Sequence, residues 1–151
     1  MKKTILTLIA AIALSMGSNV ANAQNVQLHY DMGRGCTTST VEMFKADDSG
    51  STFFFVDMDY NPKVSGAYWE IARELNFWQD SKVSWLSVHV EYNGGLSTAA
   101  GSFNNSWLGG LTYSGHSQDW SKTWSVTASY KAIPGTTGLN GSRQPHNFQL
   151  T

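Results

Sequence analysis

The chain has 151 residues, 41% hydrophobic and 13% aromatic, with ten basic and eleven acidic residues. Charged residues make up only 14%, against roughly 25% in an ordinary soluble domain, and so few Lys and Arg exclude a nucleic-acid partner held by a basic face. A single cysteine rules out an intrachain disulfide framework, and no Cys/His group has zinc spacing, so no metal or cofactor is expected.

Residues 1–23 read as an export signal. Lys2 and Lys3 give the positive start, Ile5 to Leu14 the short apolar stretch, and Ala21-Asn22-Ala23 the small-x-small cleavage pattern. The apolar stretch is too short to span a bilayer comfortably. No cysteine follows the cleavage site, so a lipid anchor is not indicated. The mature chain would start at Gln24 and keep 128 residues, eight basic and eleven acidic.

Beyond Gln24 the two-residue period dominates. It predicts strands at 24–32, 37–46, 51–60, 66–78, 83–93, 102–114 and 119–131, with an eighth beginning at 146. The segment 66–78 also carries a helical stripe (Tyr68, Ile71, Leu75, Trp78), but strands of similar length on both sides favour a strand. The odd-numbered strands share a phase. Val26, Leu28 and Tyr30 oppose Gln27, His29 and Asp31. Phe54, Val56, Met58 and Tyr60 oppose Phe53, Phe55, Asp57 and Asp59. Leu86, Val88, Val90 and Tyr92 oppose Ser87, His89 and Glu91, and Trp124, Val126, Ala128 and Tyr130 oppose Thr123, Ser125, Thr127 and Ser129.

Each of these apolar faces closes with a tyrosine, Tyr30, Tyr60, Tyr92 and Tyr130, on one side of an up-and-down meander. Phe77, Tyr113 and Trp120 fall on the other side. Two aromatic rows flanking an aliphatic band are what a membrane interface selects, because such rings have an apolar body and a polar tip. Strands of about ten residues suit a tilted crossing of the hydrocarbon layer. Three short connectors, 47–50, 79–82 and 115–118, fall on one side and the two longest, 94–101 and 132–145, on the other, as in outer-membrane barrels, although two more on that second side, 33–36 and 61–64, are short. A secreted soluble sandwich or small ligand barrel would instead turn the apolar face inward. Alternation alone does not choose between the two; the aromatic rows and sparse charge favour the membrane.

Segments Ala23–Asp31, Thr40–Lys45, Thr52–Tyr60, Ala67–Glu74 and His89–Gly95 together resemble an uncharacterised family of Gram-negative outer-membrane proteins related to the Tsx-like nucleoside-specific channels. The Phe53–Asp59 and Tyr68–Glu70 stretches are the most specific parts. The resemblance implies an all-β, antiparallel up-and-down transmembrane barrel over 24–151, monomeric in outer-membrane lipid, with about a dozen strands. Seven strands and the start of an eighth are present, so either the chain lacks its closing strands, which is the expectation favoured, or it closes a smaller barrel than the resemblance implies.

On this reading the polar face lines a lumen carrying His29, Asp31, Glu42, Asp57, Asp59, Glu70, Glu74, His89 and Glu91. Such a lumen disfavours anions and admits neutral or cationic solutes. Phe53, Phe55 and Tyr68 share that face and offer rings for stacking a nucleobase or sugar, with carboxylates accepting from its hydroxyls. The competing reading is a small barrel whose interior side chains pair and fill it, with no transport. Arg73 falls in the lipid phase, so a bulge or a pairing near Glu70 or Glu74 is expected to accommodate it. His29 with Asp31 and His89 with Glu91 are spaced as strand alternation alone would space them, and no nucleophile elbow accompanies them, so catalysis is not expected. Cys36 falls in the first connector.

Overall fold

The computed structural model describes residues 22–61, 63, 65–133 and 146–151, with the side chains of 22, 23 and 104 left aside. The expected leader therefore lies outside the described residues, except for 22 and 23 at the start of the first strand. Eight strands follow in order: β1 (Asn22–Asp31), β2 (Cys36–Asp47), β3 (Gly50–Tyr60), β4 (Gly66–Leu75), β5 (Leu86–Ser97), β6 (Gly101–His116), β7 (Thr123–Ala132) and β8 (Asn147–Leu150). Each pairs antiparallel with the next in one sheet, and among the described residues no pairing joins β1 to β8. The sheet is an open meander. Its upper end is defined here as the one carrying the β1–β2 turn.

The expected strand order holds, and 66–75 is a strand rather than a helix. Three connectors depart from expectation. Gly94 and Gly95 belong to β5, so the β5–β6 turn is only 98–100, whereas the β4–β5 connector runs from 76 to 85. Trp78 and the backbone explain the second departure: its indole N–H donates to the Leu86 carbonyl at 2.8 Å, and Ser81 N–H to the Trp78 carbonyl at 2.9 Å, folding an apolar stretch into a turn. The third is β7, which starts at Thr123 because Trp120 sits in the preceding turn with φ at 58°. Long connectors thus occur at both ends, and the expected one-sided asymmetry of loop length is absent. Cys36 is the first residue of β2, not a connector residue, and is buried. The two-residue β2–β3 turn requires Gly50. Its φ is 132°, and a Cβ there would lie 1.9 Å from the Glu74 carbonyl oxygen.

The two faces have opposite chemistry, and the usual burial is inverted. Large apolar side chains of one face are open: Tyr60 is 53% exposed, Ile71 50% and Leu111 51%. The other face buries polar groups, with Ser106 at 0%, Thr112 at 3% and His89 at 6%. A sheet that shields one face more than the other is curled, with the shielded face concave. Side chains of β4 indeed meet those of β6 over the top of β5 on the polar face, as Glu74 does with Thr112 at 2.9 Å.

The register carries a second regularity. Tyr30 is level with Thr37 and hence with Tyr60. Tyr92 is level with Ile71 and Phe54, six residues below Tyr60 on β3. Tyr130 is level with Gly109, Val90, Arg73 and Thr52, eight residues below it. The tyrosines therefore descend eight residues over the six strand steps from β1 to β7. With ~3.3 Å per residue and ~4.8 Å between strands, that line is inclined by about 40° to the perpendicular of the strands.

Candidate functional site

On the polar, concave face titratable groups, rings and clefts coincide. The period of two places them there: on each strand every second residue turns inward. Two clefts lie along it. The upper one, about 350 Å³, is lined by Arg34, Thr38, Asp57, Asp59, Tyr68 and Phe103 among others. The lower one, about 1180 Å³, includes Phe53, Glu74, His89, Glu91, Thr112 and Thr127 in its wall.

In the upper cleft the carboxylates of β3 are tied sideways to β2. Thr40 donates to Asp57 Oδ1 at 2.5 Å, and Thr38 donates to Asp59 Oδ1. Each bond uses one oxygen of its carboxylate. The second oxygen of Asp59 faces an Arg34 nitrogen at 3.8 Å, while Arg34 is held by Asp31 at 2.7 Å. Asp31 also accepts from the backbone N–H groups of Gly33 and Arg34, fixing the β1–β2 turn that carries the guanidinium over the cleft. Tyr68 donates to Glu70 at 2.5 Å and lies nearly parallel to Phe103, ring centres 6.4 Å apart and planes 12° apart.

The lower cleft is organised around one histidine. His89 Nδ1 meets Glu74 at 2.6 Å and Nε2 meets Glu91 at 3.0 Å. Ser87 and Thr112 both donate to Glu74, at 2.5 and 2.9 Å, and Thr112 is bonded to Thr127 at 2.8 Å. The network spans β4 to β7. It is satisfied when both ring nitrogens carry protons, which leaves one net negative charge among the three groups.

Twelve residues were expected on the lumen face; nine of them, Phe53, Phe55, Asp57, Asp59, Tyr68, Glu70, Glu74, His89 and Glu91, are divided between the clefts and the strip joining them, and Asp31 holds Arg34 at the upper end. His29 and Glu42 stand apart, His29 against Gln27 at 2.8 Å and Glu42 accepting from Asn25 at 2.9 Å. Arg34, Thr38, Thr40, Thr112 and Phe103 were not foreseen, and Ser87, expected on the polar face, was not foreseen as a partner of Glu74. Phe103 escaped because the pairing of β5 with β6 shifts between Asn93 and Gly95, where β6 carries one residue more than β5. That extra residue turns Phe103 inward, against the phase of Trp107, Leu111 and Tyr113.

On the apolar face, Tyr92 packs on Trp107 at 4.8 Å and Tyr130 on Phe148 at 5.5 Å along the tyrosine line. Tyr113 packs between Trp85 and Trp124, at 5.0 and 4.9 Å, near the lower end. Phe77 and Trp120 are in connectors, 70% and 67% exposed, rather than on strands. Arg73 is on this face too, and its partner is neither Glu70 nor Glu74, both of which point inward. It makes a two-pronged contact with Asp47, 2.7 Å on each prong, and donates to Thr52.

Among the described residues no three or more His, Cys, Asp or Glu side chains are grouped to hold a metal ion. No curated protein and no solved structure matches the chain. The model of one protein family matches residues 23–151, every strand of the sheet included, and the chain thereby belongs to that family, the domain of unknown function DUF5020.

Proposed function

We propose that this sheet is the wall of a transmembrane β-barrel in the outer membrane of a Gram-negative bacterium, and that its polar face lines a passage for small uncharged solutes, nucleosides among those its rings and carboxylates suit. The observation that carries the reading is the inverted burial: polar side chains shielded inside, aromatic and aliphatic ones open outside. In water an open apolar face of this extent is costly. In lipid the same face is at home, and every buried polar group must find an internal partner. The line of tyrosines supports the reading independently. Barrel strands tilt by 35–45°, so aromatic residues at one bilayer depth must drift down successive strands at about the slope measured here.

The test is direct. The full-length protein should require detergent for extraction from the envelope fraction, and should give stepwise conductance and nucleoside flux in planar bilayers or liposomes. Recovery as a detergent-free soluble protein would overturn the membrane reading. Insertion without conductance or flux would leave the second reading, a structural barrel with a filled interior. One observation favours that alternative: the inward carboxylates already have partners within the wall. Those bonds, however, run along the sheet between residues of the same, adjacent or next-but-one strands rather than across the space in front of it.

A further inference from the structure

We infer that Phe53, Phe55, Tyr68 and Phe103 form a continuous aromatic track for a sugar ring, entered at the upper cleft and leading to the lower one. The inference rests on the lumen reading above and goes beyond it by naming the solute's chemistry. Four rings follow one another at centre distances of 6.1, 5.9 and 6.4 Å. Phe103 stands in the wall of the upper cleft and Phe53 in that of the lower, so the track joins the two.

Successive rings at such spacing on an otherwise polar wall suit a ligand with apolar faces and a polar rim. A sugar ring is built that way: C–H groups on its faces stack on aromatics, while its hydroxyls radiate at the edge. The rim finds acceptors beside the track. Asp57 and Asp59, both in the wall of the upper cleft, each spend one oxygen on a β2 threonine, and Arg34, 3.8 Å from the second oxygen of Asp59, supplies a donor at the mouth. Among the described residues the second oxygen of Asp57 has no protein partner.

The backbone is shaped to keep the track continuous. Phe103 lies across β5 at Gly95, where a Cβ would sit 2.4 Å from its ring. Directly beside it a Cβ on Gly94 would sit 2.8 Å from Trp69. The Gly94-Gly95 pair therefore lets one ring lie flat on each side of the strand. Without Gly95, Phe103 could not lie flat beside Tyr68, and the track would end one ring short of the mouth.

The experiment uses the detergent-solubilised full chain and follows tryptophan fluorescence on titration with glucose, ribose, adenosine and, as an open-chain polyol, glycerol. Saturable binding of the cyclic compounds but not glycerol is expected. It should be about tenfold weaker in Phe103→Ala and Gly95→Ala and be kept in Phe103→Tyr, the size of one lost stacking contact. Response to glucose and ribose would identify a free sugar as sufficient. Response to adenosine alone would overturn the sugar assignment in favour of base stacking, and equal binding by wild type and both alanine variants would overturn the track. Because binding here does not require conduction, a protein that binds but does not conduct keeps the track and loses the channel; one that conducts without binding keeps the channel and loses the track.

Discussion

The two clefts of the concave face solve the same problem, charged groups on a shielded surface, in opposite ways. In the upper cleft Asp57 and Asp59 each have one threonine partner on the adjacent strand; the second oxygen of Asp57 is left to spare and that of Asp59 faces Arg34 at 3.8 Å. In the lower cleft Glu74 accepts from three side chains on two strands, and His89 is engaged at both nitrogens. The difference teaches which end is available. A pairwise bond fixes the register of two strands and leaves the carboxylate ready for a ligand, whereas a four-strand network fixes the curl of the sheet and has little capacity left.

The strongest way to break this contrast is to remove its central histidine. His89→Ala leaves Glu74 and Glu91 facing each other in a shielded site, and should cost about 3 kcal/mol in urea unfolding of the folded protein in lipid or detergent. If the two clefts were equivalent, Asp57→Asn, which preserves an acceptor for Thr40, would cost as much; it should cost under about 1 kcal/mol and change the cation preference of conductance instead.

Next in size is Gly95→Ala. The clash with Phe103 should destabilise by about 2 kcal/mol and reduce ligand binding at the upper cleft, while hydrogen-exchange protection around His89 stays as it was. On the opposite face, Arg73→Ala leaves Asp47 without its two-pronged partner at the lower rim, and a loss smaller than that of Gly95→Ala is expected in the same unfolding assay.

The smallest effect sharpens rather than breaks the contrast, because it tests the lower end outside the network. Asp119, in the turn between β6 and β7, accepts from the Ser117 hydroxyl at 2.5 Å and from the Ser121 hydroxyl at 2.9 Å. Those bonds, Ser117 first, hold its carboxyl at about 2 against an ordinary 3.8. A carboxyl lowered on folding stabilises above its unfolded pKa, so the contribution is complete above pH ~4 and disappears as the pH falls through about 2. Asp119→Asn should flatten that acid limb of the unfolding curve, lying below wild type at neutral pH and converging with it as the pH falls towards about 2.

Most of the strand order was legible in the sequence because alternation is a direct imprint of a two-sided sheet. The inward set was legible for the same reason: once the phase of β3 and β5 is known, Asp57, Asp59, His89 and Glu91 follow. Three things were not. Phe77, Trp78 and Trp85 look like strand residues, and only the indole-to-carbonyl bond of Trp78 shows that they belong to a turn. Gly94 and Gly95 look like a turn, and only the rings of Trp69 and Phe103 show why a strand would have them. Phe103 itself obeys the wrong phase, since a bulge changes the side on which every later residue of its strand emerges. Arg73 could be seen to need a partner, but Asp47, twenty-six residues away, becomes its neighbour only through the register of three strands.

At Gly94-Gly95 the wall has no side-chain padding on either surface. Trp69 rests on one side of a single peptide and Phe103 on the other, so the main chain there acts as a membrane of its own, a diaphragm between outer and inner rings. A side chain at either position would have to displace a ring, so the two aromatic residues are held a single backbone thickness apart.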